Sequence, residues 1–376
     1  MKSRPRYLKV VITEDLKNKM VFLGGPRQVG KTTFARGFIG SGKDYYNWDD
    51  LSSRSLIFKN QLDSSSKLLV LDEIHKYRFW RTLVKGYFDK NFPQSNILVT
   101  GSARLDHFRK GGDSLVGRYH YYRMHPFSLP EISRTCENDL LASLLKFGGF
   151  PEPYLKQNER EWRRWQKERV SRVVKQDLRD LENVKEISLI ELLVELLNPR
   201  VSASLSIKSI QEDLQVSPNT VDKWITILEN LYYCYRISPF GTNRAKAVKK
   251  TQKLYLWDWS EVQNEGARFE NFVAGHLLKY CHFHEDYNGH KMELRYLKDV
   301  EDREVDFVVI KDNKPLFAVE CKTGERALQK NLAYYQDRLK IPKMYQVHLG
   351  KKDYGNSSKG GRVLPFSKFC IEEEMI

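Results

Sequence analysis

No two of the five cysteines, Cys136, Cys234, Cys281, Cys321 and Cys370, stand in a C-x-x-C pair. Thiols scattered in this way supply neither a zinc-ligand set nor a disulfide framework, and they fit a reducing compartment. A run of about eighteen apolar residues, the length that a membrane-crossing helix needs, is also missing. The opening residues, MKSRPRYLKVVITEDLK, are too polar for a signal peptide. These absences point to a soluble cytoplasmic protein with no membrane partner. Acidic residues are scarce relative to basic ones: 48 Asp and Glu stand against 63 Lys and Arg, a formal charge of +15. That excess suits a polyanionic partner, with nucleic acid ahead of membrane because no basic amphipathic anchor stands out, although charge alone serves solubility equally well. At 376 residues, 41% of them apolar, the chain is long enough for two or three packed domains.

The most informative stretch is G-x-x-x-x-G-K-T, formed by Gly25, Pro26, Arg27, Gln28, Val29, Gly30, Lys31 and Thr32, with Thr33 next in line. It follows the apolar run Met20 to Leu23 and precedes a helix-like segment, the order in which a phosphate-binding loop occurs. The glycines let the backbone bend so that its N–H groups form an anion nest. Lys31 brings a positive charge to the β- and γ-phosphates, and Thr32 offers a hydroxyl to Mg²⁺. ATP and Mg²⁺ are the ligands this loop predicts.

Four further strand-like runs follow, at 45–48, 68–71, 96–100 and 119–123, separated by helical or loop segments. Such alternation predicts an α/β fold with a parallel sheet, whose ligands gather at the carboxyl ends of the strands. The run 68–71 leads directly into Asp72 and Glu73. Asp72 is placed to hold the magnesium ion, and Glu73 to orient and activate the attacking water. The run 96–100 leads into Gly101-Ser102, where either Thr100 or Ser102 can reach the γ-phosphate or the lytic water, and a plain Gly-Ser turn is the bland alternative. Arg118 stands just before the last run, where a guanidinium can stabilise phosphoryl charge within the chain or across a subunit boundary of a homo-oligomer.

GPRQVGKTT, LLVLDEIHK, ILVTGSARL and LVGRYHYYRMHPFSLPE together resemble a prokaryotic branch of the AAA+ ATPases. The resemblance implies Walker A at Gly25 to Thr32, Walker B at Asp72 and Glu73, and a sensor at Ser102. It also implies a helical lid after the sheet, entered near Gly149-Phe150-Pro151-Glu152.

Further along, 140–147 reads as a helix stopped by Gly148-Gly149, and 161–181 as a long charged helix with a solvated face. Helices are expected at 187–197, 207–214 and 218–230, the last capped by Ser217 with Pro218 at its first position. Val221, Trp224, Ile225 and Leu228 share its inner face, which leaves Asn219, Thr220, Lys223 and Thr226 outside. Two helices with a three-residue turn make a helix-turn-helix. Strands at 231–237 and 253–257, joined by a loop with Arg244, Lys246, Lys249 and Lys250, would complete a winged helix with a basic wing for a DNA backbone. The same fold also serves for protein packing.

The last third opens with an amphipathic helix at 268–278, with Glu270 bordering its apolar stripe. Runs at 304–310 and 315–322 read as a hairpin turning near Asn313, which sets Asp306 opposite Glu320 with Lys322 on the same face. Two carboxylates across from each other repel, so the arrangement asks for a cation, and Mg²⁺ between Asp306 and Glu320 can activate water for phosphodiester hydrolysis. A cross-strand ladder of ion pairs is the alternative. Asp306, Glu320 and Lys322 resemble the PD-(D/E)XK nuclease motif, and the resemblance assigns Glu270 as the acid from its first helix. His282, His284 and His290 fall in a loop-like polar stretch and read as solvated, and 351–361 reads as a flexible segment.

Taken over nearly its whole length, the chain resembles AAA+ ATPases joined to a winged helix and a C-terminal endonuclease-like domain. The expected boundaries are 1–135 for the ATPase core, 136–186 for the lid, 187–260 for the winged helix and 261–376 for the nuclease-like domain. The activity expected is ATP-dependent, with a gated nuclease or a non-cleaving switch and sensor as the two outcomes.

Overall fold

Short apolar runs that are buried on both sides need helices over both faces, and the first part of the chain meets that need with a parallel sheet. The computed structural model describes residues 6–39, 44–63, 65–101, 115–172, 186–241 and 252–376. The chain divides into two compact units, 1–125 and 126–376.

The first unit contains α1 (Lys9–Asp15), β1 (Met20–Gly24), α2 (Lys31–Arg36), β2 (Tyr45–Asn47) and α3 (Leu51–Phe58). It continues through β3 (Leu68–Asp72), α4 (Trp80–Asn91), β4 (Asn96–Thr100) and β5 (Tyr119–Arg123). The five strands are parallel in the order β2-β3-β4-β1-β5. Every residue of β1 and β4 is buried, as central strands require. Phe22, Leu69, Leu71, Ile97 and Val99 meet Trp80, Val84 and Phe88 of α4 in one core. This parallel sheet sets Gly24, Asp72, Thr100 and Arg123 at the same carboxyl edge. The α/β P-loop fold expected from the sequence is the one observed.

The second unit begins with α5 (Leu129–Ile132), α6 (Asn138–Phe147), α7 (Pro151–Lys156) and α8 (Glu159–Arg172). Gly148, at φ +78°, ends α6 where the sequence placed the stop. The long charged helix expected at 161–181 is seen from Glu159 to Arg172, and its remainder lies outside the described residues. Then come α9 (Ile187–Leu197), α10 (Ile207–Leu214) and α11 (Pro218–Asn230), followed by an antiparallel ribbon of β6 (Cys234–Ile237) and β7 (Lys253–Leu256).

The C-terminal part consists of α12 (Glu265–Asp286), β8 (Met292–Lys298), β9 (Glu304–Lys311), β10 (Lys314–Lys322) and α13 (Lys330–Leu339). After these come β11 (Met344–His348), β12 (Tyr354–Asn356), β13 (Gly361–Pro365) and α14 (Phe366–Glu372). Its six strands form a mixed sheet in the order β12-β13-β11-β10-β9-β8. On one face Val308, Ile310 and Ala318 pack with Leu332 and Tyr335 of α13. On the other, the ring of Phe317 meets Tyr280 of α12 and Phe369 of α14.

Two expectations change here. His282 and His284 belong to α12 rather than to a loop, because the apolar stripe of Phe269, Phe272, Val273, Leu277 and Tyr280 continues past 278. His284 Nδ1 lies 3.0 Å from Asn288 Oδ1, and His290 Nδ1 lies 2.9 Å from Asp312 Oδ2. The segment 351–361 is not a plain loop either, since 354–356 pairs with β13 as an edge strand.

Candidate functional site

Lys31, Thr32, Asp72 and Thr100 converge at the carboxyl edge of the first sheet, the first two delivered by the first turn of α2 and the others by the ends of β3 and β4. Gly25 adopts φ +135°, and a β-carbon there would lie 2.5 Å from the Met124 carbonyl oxygen, so only glycine fits. Gly30, at φ +95°, turns the chain into α2. Val29 is fully buried and anchors the loop, while the ammonium of Lys31, itself buried, donates to the carbonyls of Gly25 (2.8 Å) and Pro26 (2.6 Å).

The loop is also tied to the end of its own unit. Met124 N donates to Gly24 O at 2.9 Å, and Arg6 donates to Val29 O (2.8 Å) and His125 O (2.5 Å). One guanidinium thus bridges the phosphate loop and the last residue of the first unit.

Asp72 is buried and receives three hydroxyl hydrogen bonds. Thr32 donates to Oδ2 at 2.7 Å, Tyr45 donates to the same oxygen at 2.6 Å, and Thr100 donates to Oδ1. The Tyr45 phenol is held well above its usual range by burial and then by its bond to Asp72, and the Arg36 guanidinium lies over its ring at 4.5 Å. A carboxylate and a threonine hydroxyl joined at 2.7 Å are the hard oxygen donors that Mg²⁺ takes beside phosphate oxygens, so this set fits the ion. Thr32 and Asp72 would hold it, and with a triphosphate it would neutralise charge on the β- and γ-phosphates.

Glu73 adopts a left-handed backbone (φ 56°) and its carboxylate turns away from Asp72 toward Lys76 (3.5 Å) and His75 (3.7 Å). Lys76 is shared with Asp49 at 2.6 Å. The backbone N–H of Glu73 donates to Thr100 O at 3.0 Å, which fixes the start of this turn to the neighbouring strand.

Of the two sensor candidates, Thr100 reaches Asp72 directly, and Ser102 lies outside the described residues. Arg118 does not serve this site within the chain. It precedes β5, at the amino edge of the sheet, about 16 Å from the carboxyl edge by strand length. There its guanidinium forms a fork with Asp89 of α4, at 2.8 and 3.3 Å.

In the second unit, Val319 of β10 lies opposite Phe307 of β9, which leaves Asp306 and Glu320 as neighbours one step on, as the spacing predicted. Cys321 N donates to Asp306 Oδ2 at 2.9 Å, and Lys322 Nζ donates to Glu320 Oε1 at 2.6 Å. Glu270 of α12 belongs to the same group. Tyr255 O–H donates to its Oε1 at 2.8 Å, and burial, aided by Asp306, pushes its carboxyl up to about 8. Burial and Asp306 likewise push Glu320 up to about 7, and burial raises Asp306.

The sequence reading missed Lys253. This first residue of β7 is 3% exposed, and its ammonium lies 2.5 Å from Glu304, 3.4 Å from Glu270 and 3.6 Å from Asp306. Burial alone would lower its pKa, but Glu270, Asp306 and Glu304 outweigh that and hold it above the usual range. These acids therefore do not fit a divalent ion as they stand, because a cation of the chain already lies among them. Among the described residues no three His, Cys, Asp or Glu side chains group as a metal-holding set. The signal was legible in principle: Lys253 and Tyr255 alternate onto one face of a strand whose every residue is buried.

The expected nucleic-acid face is only partly described. Val221, Trp224, Ile225 and Leu228 are buried as predicted, and Asn219, Lys223 and Thr226 are exposed. The Thr220 hydroxyl is engaged with the capping Ser217, 2.8 Å away. Arg236 of β6 binds Asp222 (2.6 Å) and Glu229 (2.7 Å), which fastens the ribbon to α11. Arg244, Lys246, Lys249 and Lys250 lie outside the described residues.

Comparison with known proteins follows this division of the chain. A profile described as "AAA domain" matches residues 17–133. These residues have the α/β fold of a P-loop ATPase, which supports ATP binding and hydrolysis. Two profiles described as domains of unknown function, DUF8612 and DUF4143, match 138–262 and 265–369. An uncharacterized protein of Methanocaldococcus jannaschii, MJ1544, is 26% identical over 407 residues, covering 97% of this chain and 88% of that protein.

Among solved structures, the Walker-type ATPase PABY2304 of Pyrococcus abyssi is similar at TM-score 0.42 and 13% identity, covering 71% of this chain and 96% of that one. The Aeropyrum pernix ORC1 protein in complex with DNA gives 0.34 and 17%, covering 72% and 94%. The RuvB Holliday junction branch migration motor of Thermotoga maritima gives 0.32 and 16%, covering 65% and 97%. Among the described residues no helix is long and apolar enough to cross a membrane.

Proposed function

We propose that this chain is an ATP-hydrolysing AAA protein that engages DNA and uses nucleotide turnover to control its C-terminal module. The observation that carries the reading is the convergence of Lys31, Thr32, Asp72 and Thr100 at one sheet edge. In it, Gly25 to Thr33 bind ATP, Thr32 and Asp72 hold Mg²⁺, and Glu73 activates water once its carboxylate leaves Lys76. Residues 136–186 form the lid, 187–260 the winged helix and 261–376 the C-terminal domain. DNA binding is supported by the +15 charge, by the helix, turn and helix of 207–230 with the ribbon after them, and by the basic residues at 244–250.

Steady-state phosphate release from the full chain tests the reading, with and without duplex DNA, beside Lys31→Ala. Turnover that depends on Lys31 and rises with DNA is the expected result. Turnover unaffected by Lys31→Ala would sink the assignment, and turnover indifferent to DNA would remove that partner. A homo-oligomer is part of the proposal, and light scattering with and without ATP measures it.

A second reading makes the C-terminal domain a metal-dependent nuclease gated by ATP. It is favoured by the meeting of Asp306, Glu320, Lys322 and Glu270, the acid and lysine set such a nuclease uses. Nicking of plasmid DNA with Mg²⁺ that Asp306→Ala abolishes would establish it, and its absence leaves the domain as a non-cleaving platform.

A further inference from the structure

A lysine ammonium offers three N–H donors, and three carboxylates surround that of Lys253: Glu304, Glu270 and Asp306. The ammonium pairs most closely with Glu304 and lies within ion-pair distance of Glu270 and Asp306. The geometry is built rather than incidental. Lys253 opens a strand in which all four residues are buried, and its ammonium also lies 5.4 Å from the ring of Tyr296, itself fully buried. Tyr255, two residues on, supplies a further donor to Glu270, and its ring lies 5.6 Å from Phe307 beside Asp306. The remaining acid, Glu320, has its own cation in Lys322 at 2.6 Å. Glu304 also lies 3.6 Å from Lys298, so four carboxylates are met by three ammonium groups without any ion from outside.

The polypeptide origin of these groups matters as much as their distances. Lys253 and Tyr255 come from the ribbon β6–β7, while Glu270 comes from α12 and Glu304 and Asp306 from β9. The ribbon is therefore fastened by charge to the sheet that follows it. A divalent ion coordinated by these acids would lie close to the Lys253 ammonium, and like charges at such a distance repel strongly.

We propose that Lys253 takes the place of a divalent cation among Glu270, Glu304 and Asp306, so that this cluster binds no metal and works as an electrostatic joint between the ribbon and the C-terminal sheet. The proposal is independent of the ATPase reading and chooses between the two readings of the C-terminal domain. It makes that domain a platform whose acid cluster is spent on holding the ribbon.

Mn²⁺ binding to the nucleotide-free full chain tests it, followed by electron paramagnetic resonance for the wild type, Lys253→Met, Asp306→Asn and the double variant. The wild type and Asp306→Asn should bind alike. Lys253→Met should gain one site, at least tenfold tighter than anything Asp306-dependent in the wild type, and the double variant should lose it. Wild-type binding that falls on Asp306→Asn overturns the proposal, as does a folded Lys253→Met that gains no site. A second measurement needs no variant of Lys253. Reductive methylation read by mass spectrometry should leave Lys253 unmodified while exposed Lys314 reacts, equally with chelator and with Mg²⁺. Labelling of Lys253 at the rate of Lys314, or labelling that changes with Mg²⁺, means that the lysine does not fill the cluster.

Discussion

Replacing Thr100 with valine removes one hydroxyl from the AAA site and almost nothing else. Thr100 is fully buried at the end of β4, and its hydroxyl donates to Asp72 Oδ1, the oxygen that Thr32 and Tyr45 leave free. A hydrogen bond to a charged acceptor contributes about 1.5–3 kcal/mol. Each 1.36 kcal/mol of transition-state stabilisation corresponds to a tenfold change in rate, so full expression in catalysis would slow turnover by about 10- to 100-fold. The bond exists without nucleotide, so part of its loss appears as stability, as a Tm lowered by a few degrees. ATP affinity should change little, because Thr100 belongs to β4 and not to the phosphate loop. The assay is kcat, KM and Tm for wild type, Thr100→Val and Thr100→Ser, with serine restoring most of kcat. A valine variant with wild-type kcat would refute the role given to this hydroxyl, and a serine variant as slow as valine would assign the loss to packing instead.

Three further outcomes follow from groups already described. Glu261 is buried with Asp258, accepts from Arg169 at 2.5 Å and Tyr233 at 3.0 Å, and burial pushes its carboxyl up to about 7 from an ordinary 4.5. The folded chain then holds more protons than the unfolded one between those values, so this group's contribution is full below pH 4.5 and lost as pH rises through 7. Chemical unfolding at several pH values should show that slope in the wild type and a flatter one in Glu261→Gln. Glu131→Gln removes the carboxylate charge that lies 2.6 Å from the Lys279 ammonium, itself 1% exposed, and should cost about 3–5 kcal/mol in the same unfolding measurement. Ser217→Ala removes the cap whose Oγ accepts from Thr220 N at 3.1 Å and should cost about 1 kcal/mol without altering ATP turnover in the absence of DNA.

Much of this architecture was legible because local rules and tertiary demands agree. The apolar runs of β1, β3 and β4 and the loop after β1 read as a P-loop sheet because a buried parallel strand tolerates little else. The bounds of α11 were set by Ser217, Pro218 and an inner face at helical spacing, which need no information from elsewhere in the chain. Tyr45 and Lys253 were missed for the opposite reason. Their roles depend on Asp72, Glu270 and Glu304, residues distant in sequence, and although alternation marks Lys253 and Tyr255 as sharing a buried face, it does not name the partner either will meet. The edge strand at 354–356 escaped because all three of its residues are exposed, so no alternation announces it. The end of the sheet at which Arg118 lies was not legible, since proximity to β5 in sequence does not say which edge a side chain meets, and its place leaves only the role across a subunit boundary open.

The bridge formed by Arg6 makes the phosphate loop a mooring point for the chain as it leaves the first unit. Val29 O and His125 O are held by the same guanidinium, Met124 N is held by Gly24 O, and Gly25 leaves no slack against Met124. A loop that reshapes around a triphosphate has to take Met124 and His125 with it or break these bonds. The segment entering the second unit at Pro126 is thereby leashed to the phosphate loop, by the single side chain of Arg6 and by one backbone bond that no side-chain substitution removes.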